Sequence, residues 1–180
     1  MTMFFSFRRK KQGAGELVDA LVASHGRTRK LVQLAITLSE GTAVPLAEVS
    51  IGCALIGRYF TNAFPLHVMD EEASILPRLR GRSPSLDAAL VRMHERHELH
   101  AAMITRFCDH AAALRIDPRD PEARLALASV ARPLSAVLDD HLGAEEQIVF
   151  PVIHEAFSAQ ECRVIKREID ARRRGANEVT

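Results

Sequence analysis

A short pattern of histidine, glutamate and proline occurs twice in the chain and restricts the folds that it can adopt. Both copies read His-x3-Glu-Glu-x4-Pro, and they occupy residues 67–77 and 141–151. Each copy lies in a long segment whose apolar residues recur every three or four positions, which is typical of an amphipathic helix. A second pair of histidines repeats this spacing, since His25 and His97 are separated by nearly the same number of residues as the two motif histidines. The sequence therefore predicts two similar helical hairpins.

Breaks rich in proline and glycine divide the chain into five predicted helices. They cover residues 16–39, 45–76, 84–114, 121–150 and 158–173. The second and fourth helices are predicted to end before Pro77 and Pro151, because the residue before a proline avoids the helical conformation. Pro133 lies within the fourth helix and predicts a kink or a split there. The capping-box motif Ser158-Ala159-Gln160-Glu161 predicts the start of the fifth helix.

Four long helices with short connections favour a bundle. We therefore predict an all-α fold, an up-down-up-down four-helix bundle with a short C-terminal fifth helix. The bundle is expected over residues 16–155, after a basic, flexible N-terminal segment at 1–15 and before the short C-terminal helix and tail at 156–180. The basic cluster Arg172-Arg173-Arg174 is expected to be a solvated helix end.

The composition is that of a folded domain, and it points to no polyanionic or membrane partner. Hydrophobic residues make up 47% and charged residues 26%, while a net charge of +1 creates no field that would attract nucleic acid. No segment approaches the roughly 18 apolar residues of a membrane span, and the N-terminal apolar residues precede the basic ones, the reverse of a secretory signal. The three cysteines lie far apart without a CxxC pair, which is typical of reduced thiols. We therefore expect a cytoplasmic protein.

The helical pattern separates the eight histidines of the chain into two sets. The apolar faces carry His25, His67, His97 and His141. Glu71 and Glu145 follow their motif histidines by four residues and share those faces. The next residues, Glu72 and Glu146, are expected to point outwards. The other four histidines, expected on flanks or at the surface, are His94, His100, His110 and His154.

Carboxylates on an apolar face require neutralisation. A buried carboxylate that lacks a partner costs on the order of several kcal/mol, and two of them close together repel one another. Such groups are tolerable when they pair with imidazoles or when cations neutralise them. Nitrogen and oxygen donors of this kind are the ligands that first-row metals prefer. The sequence therefore predicts a metal site, with the ligands His25, His67, Glu71, His97, His141 and Glu145.

These motifs resemble the haemerythrin-like (HHE cation-binding) family over about residues 16–155. The resemblance implies a four-helix bundle that holds two non-haem iron ions joined by an oxo or hydroxo bridge. It also implies that the four inward histidines are terminal iron ligands and that Glu71 and Glu145 bridge the irons.

The chain departs from the oxygen-carrying haemerythrins at one ligand. Those proteins have a further histidine, in a His-x3-His pair on the third helix. Here the positions four before and four after His97 hold Met93 and Ala101. His94 or His100 is an alternative source of the fifth nitrogen.

The resemblance implies a protein that binds iron together with a small diatomic or peroxide ligand, namely O2, NO or H2O2. Such a protein would act in sensing, storage or defence against oxidative or nitrosative stress. One alternative uses the same centre as a di-iron oxidase or peroxidase, or in the repair of damaged iron centres. A further alternative is a helical interaction module with a structural or vestigial metal site.

Residues around the predicted ligands are expected to control access and orientation. The walls of the site are expected to be apolar and to comprise Phe60, Phe64, Met93, Leu134 and Ile148. Arg29 is expected either to pair with a bridging carboxylate or to extend to the end of the bundle. Asp70 is expected either to accept a hydrogen bond from a ligand imidazole or to lie at a solvated helix edge. Tyr59 is expected to be a packing residue.

Overall fold

Helices make up all the regular secondary structure of the part of the chain that the computed structural model describes. It describes the backbone of residues 2–178 and the side chains of residues 13–176. The helices are α1 (Thr2–Glu40), α2 (46–79), α3 (Pro84–Ile116), α4 (121–156) and α5 (Ala159–Glu178). The predicted all-α class and the C-terminal fifth helix are thus confirmed. The up-down-up-down order and the domain boundaries stay predictions.

The helices α2 and α4 are continuous but not uniform. In α2, the α-helical segments Leu46–Arg58, Phe64–Met69 and Leu76–Leu79 are separated by the π-helical turns Tyr59–Ala63 and Asp70–Ile75. In α4, the π-helical turn Glu145–Val149 separates Pro121–Ala144 from Phe150–Ala156. In a π-turn the backbone N–H bonds to the carbonyl five residues earlier, so the helix widens locally.

The predicted helix ends at Pro77 and Pro151 were wrong, because both helices continue past the proline. A proline inside an α-helix removes one hydrogen bond, and its ring collides with the carbonyl four residues earlier. Each of these prolines lies just after a π-turn, whose wider path moves that carbonyl away from the ring. The predicted split at Pro133 does not occur, since Pro121–Ala144 is one α-helix. The first helix begins at Thr2 and not near residue 16.

Contacts between residues divide the helices into two units. Unit I comprises Met1–His25, Leu66–His94 and Leu142–Thr180, and unit II comprises Gly26–Pro65 and Glu95–His141. The helix α5 therefore belongs entirely to unit I, whereas each of the other helices contributes to both. None of the described helices combines the length and the apolar character that crossing a membrane requires.

Unit I has a continuous apolar core to which α5 contributes. Cys162 and Ile165 of α5 pack into the same cluster as Leu76 and Leu79 of α2. The predicted capping box starts α5, because the hydroxyl of Ser158 accepts the N–H of Glu161 and the Glu161 carboxylate accepts the N–H of Ser158 at 2.7 Å. These hydrogen bonds to Ser158 lower the pKa of Glu161.

Unit II has an aromatic interior. The ring centroid of Phe60 lies 5.2 Å from that of Phe107 and 5.4 Å from that of Phe64. Tyr59 is buried beside them, and its hydroxyl shares a hydrogen bond of 2.8 Å with the hydroxyl of Thr28. Tyr59 is therefore a packing residue whose polar group is satisfied inside the protein.

The thiols of Cys53 and Cys108 should react slowly in the folded protein. Burial raises the pKa of Cys53 to about 11, and burial together with Asp109 raises that of Cys108 to about 11. Only the thiolate reacts, so alkylation by iodoacetamide at pH 8 is expected to be roughly a hundred-fold slower than in the unfolded chain. Mass spectrometry of the alkylated peptides measures the rates, with protein in urea as the control. Equal rates in the folded and unfolded protein would contradict the prediction.

Candidate metal centre

Both predicted bridging glutamates lie in π-turns. Glu71 belongs to the turn Asp70–Ile75 and Glu145 opens the turn Glu145–Val149; in each case the carbonyl of the glutamate accepts the N–H five residues later. Such turns are rare and frequently mark functional sites. Sequence reasoning missed them. The available signal was the proline at the same spacing in both motif copies, inside a helix that the proline does not end.

Four of the six predicted ligands come together in unit I. They are His25 from α1, His67 and Glu71 from α2, and Glu145 from α4. Each offers one nitrogen or oxygen atom, and these four atoms lie within 4.8 Å of one another. All four side chains are buried, and the oxygens of both carboxylates are inaccessible to solvent. The fold therefore confines two acidic groups and two imidazoles to a small volume.

The distances within this group suit ligands that share a cation. Nε2 of His25 lies 3.1 Å from Oε2 of Glu145 and 3.7 Å from Oε1 of Glu71. Nε2 of His67 lies 3.5 Å from Oε1 of Glu71. Two atoms that bind one metal at about 2.0–2.2 Å in adjacent positions are about 3 Å apart. Imidazole nitrogen and carboxylate oxygen together suit iron and other first-row metals, so these residues fit such an ion.

The surroundings shift the pKa values of His25 and His67 in opposite directions. Burial lowers the pKa of His25, but the hydrogen bonds and charges of Glu145 and Glu71 outweigh it and raise the pKa to about 10. Burial also lowers the pKa of His67, and there the opposing charge of Glu71 is the weaker effect. Without a metal, a proton on His25 balances part of the charge of the two glutamates. A metal ion would take over that role, since a ligand imidazole has to be neutral.

Glu146 contacts His25 through the other ring nitrogen. The Nδ1–H of His25 donates to Oε1 of Glu146 at 2.8 Å, while Nε2 faces the two buried glutamates. Such contacts set the tautomer and ring orientation of metal-binding histidines. The expectation that Glu146 points outwards was wrong, because its carboxylate contacts the buried ring of His25 on α1.

Other residues expected near the site have different surroundings. Nε of Arg29 donates to Asp139 at 3.2 Å, a partner that neither expectation named. Ile148 is 44% exposed and so is not a buried wall residue. The remaining wall residues are buried as expected, namely Phe60, Phe64, Met93 and Leu134.

Unit II brings the two remaining predicted ligands together. The rings of His97 and His141 are nearly perpendicular, with centroids 4.7 Å apart. The ring centroid of His100 lies 5.2 Å from that of His141, and its Nδ1 atom is inaccessible to solvent. His94, by contrast, lies at the surface with its Nδ1 3.1 Å from Oε2 of Glu72. Of the two alternative sources of a fifth nitrogen, His100 therefore lies beside a predicted ligand, and His94 pairs with Glu72.

Asp70 contradicts both expectations made for it. Its side chain is buried instead of solvated. Its carboxylate accepts hydrogen bonds from Arg172 and Arg173 of α5 and not from a ligand imidazole. The expectation of a solvated C-terminal basic cluster was therefore wrong for Arg172, which is largely buried, whereas Arg173 stays exposed while it contacts Asp70.

Comparison with protein-family models gives a match over the first three helices. The family model described as Hemerythrin HHE cation binding domain matches residues 16–119, which is more than half of the chain. The matched segment contains His25, His67, Glu71 and His97 and ends before His141 and Glu145. No curated protein matches the sequence.

A metal bound by these residues should stabilise the fold. A ligand at about a hundred times its Kd contributes about 2.7 kcal/mol, which corresponds to a rise in Tm of roughly 5–10 °C for a chain of this size. We expect that rise when ferrous iron is added anaerobically to the wild type, and a smaller one in Glu145→Gln, which removes a charge from the group. Scanning fluorimetry measures both. The control is His154→Ala, at an exposed histidine of the same helix, and equal shifts in the two variants would contradict the prediction.

Proposed function

Because the chain belongs to the Hemerythrin HHE cation binding domain family, we propose that it is a di-iron protein that binds a small diatomic or peroxide ligand. The main support is the buried group of His25, His67, Glu71 and Glu145, whose donor atoms lie within 4.8 Å of one another. Burying two carboxylates in apolar surroundings is costly, and a bound cation offsets that cost.

We assign the four histidines to two sets. His25 and His67 would hold one iron, which their shared position in unit I supports. His97 and His141 would hold the other, which their adjacent rings in unit II support.

Glu71 and Glu145 would bridge the two irons. The argument comes from the sequence, because each glutamate follows a histidine of a different set by about one helical turn. Residues four apart on a helix lie on one face, so each carboxylate is suited to bind the same ion as its own histidine. The equivalent placement of the two motif copies makes both glutamates candidates for a shared ligand.

Two irons joined by an oxo or hydroxo bridge would supply open coordination positions and a ferrous–ferric couple. The protein would exclude water from them and orient the ligands. The ring centroid of Phe150 lies 5.1 Å from that of His25, and Met93 and Val149 are buried in the core of unit I. Glu146 holds His25 through Nδ1. Apolar surroundings favour small neutral ligands such as O2, NO and H2O2 over charged or bulky ones.

The proposed role is sensing, storage or defence against oxidative or nitrosative stress in the cytoplasm. Met93 and Ala101 occupy the positions that would complete a His-x3-His pair with His97. The lack of that pair favours these roles over simple reversible oxygen carriage.

Iron loading tests the proposal. Reconstitution with ferrous iron under argon should give about two irons per chain, and later exposure to air should produce a near-ultraviolet charge-transfer band. His97→Ala should lose about half of the iron, because it removes a ligand of only one ion. Metal analysis and absorption spectra before and after air or NO measure these outcomes, with His154→Ala as control. Less than one iron per chain in the wild type would contradict the proposal.

Turnover measurements on the iron-loaded protein distinguish a binding protein from an enzyme. As a binding protein, it should consume peroxide or NO only once per centre, even when a reductant is supplied. An oxygen electrode or an NO electrode measures the consumption. Sustained turnover that Glu71→Ala abolishes would instead support the oxidase or peroxidase alternative. Purified protein that holds redox-inactive zinc and whose Tm is unchanged by His97→Ala would support a structural or vestigial metal site.

A further inference from the structure

Asp70 is a buried carboxylate that the proposed iron centre does not use. Its side chain is 1% exposed. It is the first residue of the π-turn Asp70–Ile75 and directly precedes Glu71. A charge in this position needs partners, since water does not reach it.

The partners of Asp70 both come from α5. Nε of Arg172 donates to Oδ1 at 2.8 Å, and Nη2 of Arg173 donates to Oδ2 at 2.6 Å. Nη2 of Arg172 also donates to the hydroxyl of Ser74 at 2.7 Å. The two arginines therefore contact the π-turn on both sides of Glu71 in the sequence.

A second link ties the same turn to α5. Nη1 of Arg78 donates to the carbonyl oxygen of Ser74 at 2.6 Å. The same guanidinium forms a two-point contact with the carboxylate of Glu168 on α5, at 3.1 and 2.7 Å. Bidentate pairs of this kind restrict geometry as well as adding energy. Ser74 is thus held through its side chain by one arginine and through its backbone by another.

A π-turn depends on such external support. It is rare and mostly limited to a single turn within an α-helix, and a return to α-helical hydrogen bonding would shift every following residue. In the turn Asp70–Ile75, a return to α-helical geometry would change the direction of Glu71 relative to His67, whose Nε2 lies 3.5 Å from its carboxylate. The contacts with α5 oppose that change.

We propose that α5 is a positioning element for the metal centre. Arg172 and Arg173 act through Asp70 and Ser74 to hold the π-turn, and the π-turn directs the Glu71 carboxylate towards His25 and His67. The two arginines are positioning residues, since they contact the turn and none of the proposed ligands. The effect on metal binding rests on the proposed function. The effect on the backbone of the π-turn is expected with or without iron.

The principal test compares two double variants of the full chain. Arg172→Ala with Arg173→Ala removes the contacts with Asp70, whereas Lys166→Ala with Arg174→Ala removes two exposed cations of the same helix as a matched control. In metal-free protein, we expect amide exchange over residues 70–76 to be about tenfold faster in the first variant and unchanged in the control. Hydrogen–deuterium exchange with mass spectrometry measures it.

The metal readouts use the same variants after loading with ferrous iron. Transfer of iron to a coloured ferrous chelator should be about tenfold faster in Arg172→Ala with Arg173→Ala than in the wild type or the control. The charge-transfer band after exposure to air should also shift, because the Glu71 carboxylate is less well placed. A role in stability alone would lower Tm without changing the band or the release rate, and that result would overturn the proposal.

Two further variants test the proposal if the Arg172→Ala with Arg173→Ala variant folds poorly. Asp70→Asn removes the buried charge itself, so it leaves no uncompensated carboxylate, and it should also accelerate exchange and iron release. Arg172→Lys with Arg173→Lys keeps the charges and should restore part of the wild-type behaviour. Adding Asp70→Asn to Arg172→Ala with Arg173→Ala should change the exchange and iron-release rates little further, because both sets of substitutions remove the same contact.

The outcomes separate this inference from the proposed function. A wild type that binds no iron overturns the function and the metal part together. Unchanged exchange over residues 70–76 in both Arg172→Ala with Arg173→Ala and Asp70→Asn overturns the positioning role alone.

Discussion

The burial of two carboxylates beside two imidazoles is the constraint on which the proposed centre depends. Glu71 and Glu145 lie where water does not reach, so their charge has to be balanced within a few ångströms. The chain provides His25, whose Nε2 lies 3.1 Å from Glu145 and whose pKa is raised to about 10. One proton balances only part of two negative charges. A metal ion at the same place would carry more charge and could bind all four donor atoms, which is the physical basis for the proposal.

The π-turns determine where the buried carboxylates lie. They carry both glutamates, and they allow Pro77 and Pro151 to lie inside continuous helices. The turn in α4 also carries Glu146, which contacts His25. Because π-turns are rare within α-helices, we expect neighbouring groups to stabilise them. In α4 the contact between Glu146 and His25 contributes to this, and in α2 the two arginines of α5 do.

The elements that complete the candidate centre extend past the segment that matches the family. The match ends at residue 119, before α4 begins, so Glu145, Glu146 and the whole of α5 lie outside it. Their roles rest on the contacts of this chain, above all on the distances around His25 and the hydrogen bonds to Asp70. Within unit I, the candidate site therefore combines His25, His67 and Glu71 from the matched segment with Glu145 and Glu146 from the segment outside it.

The sequence by itself was sufficient to predict an all-α chain of five helices and the burial of His25, His67, Glu71, His141 and Glu145, whereas His97 is only half-buried. Both follow from local spacing, because the 3.6-residue period decides which side chains share a helix face. Regular helical periodicity did not predict the π-turns, whose hydrogen bonds differ from α-helical ones by a single residue, although the proline shared by both motif copies was a signal for them. Nor could it reveal that Glu146 reaches His25 or that Arg172 and Arg173 dock on Asp70. Only the tertiary structure decided these contacts, because they join residues about a hundred positions apart and depend on which helix faces pack together.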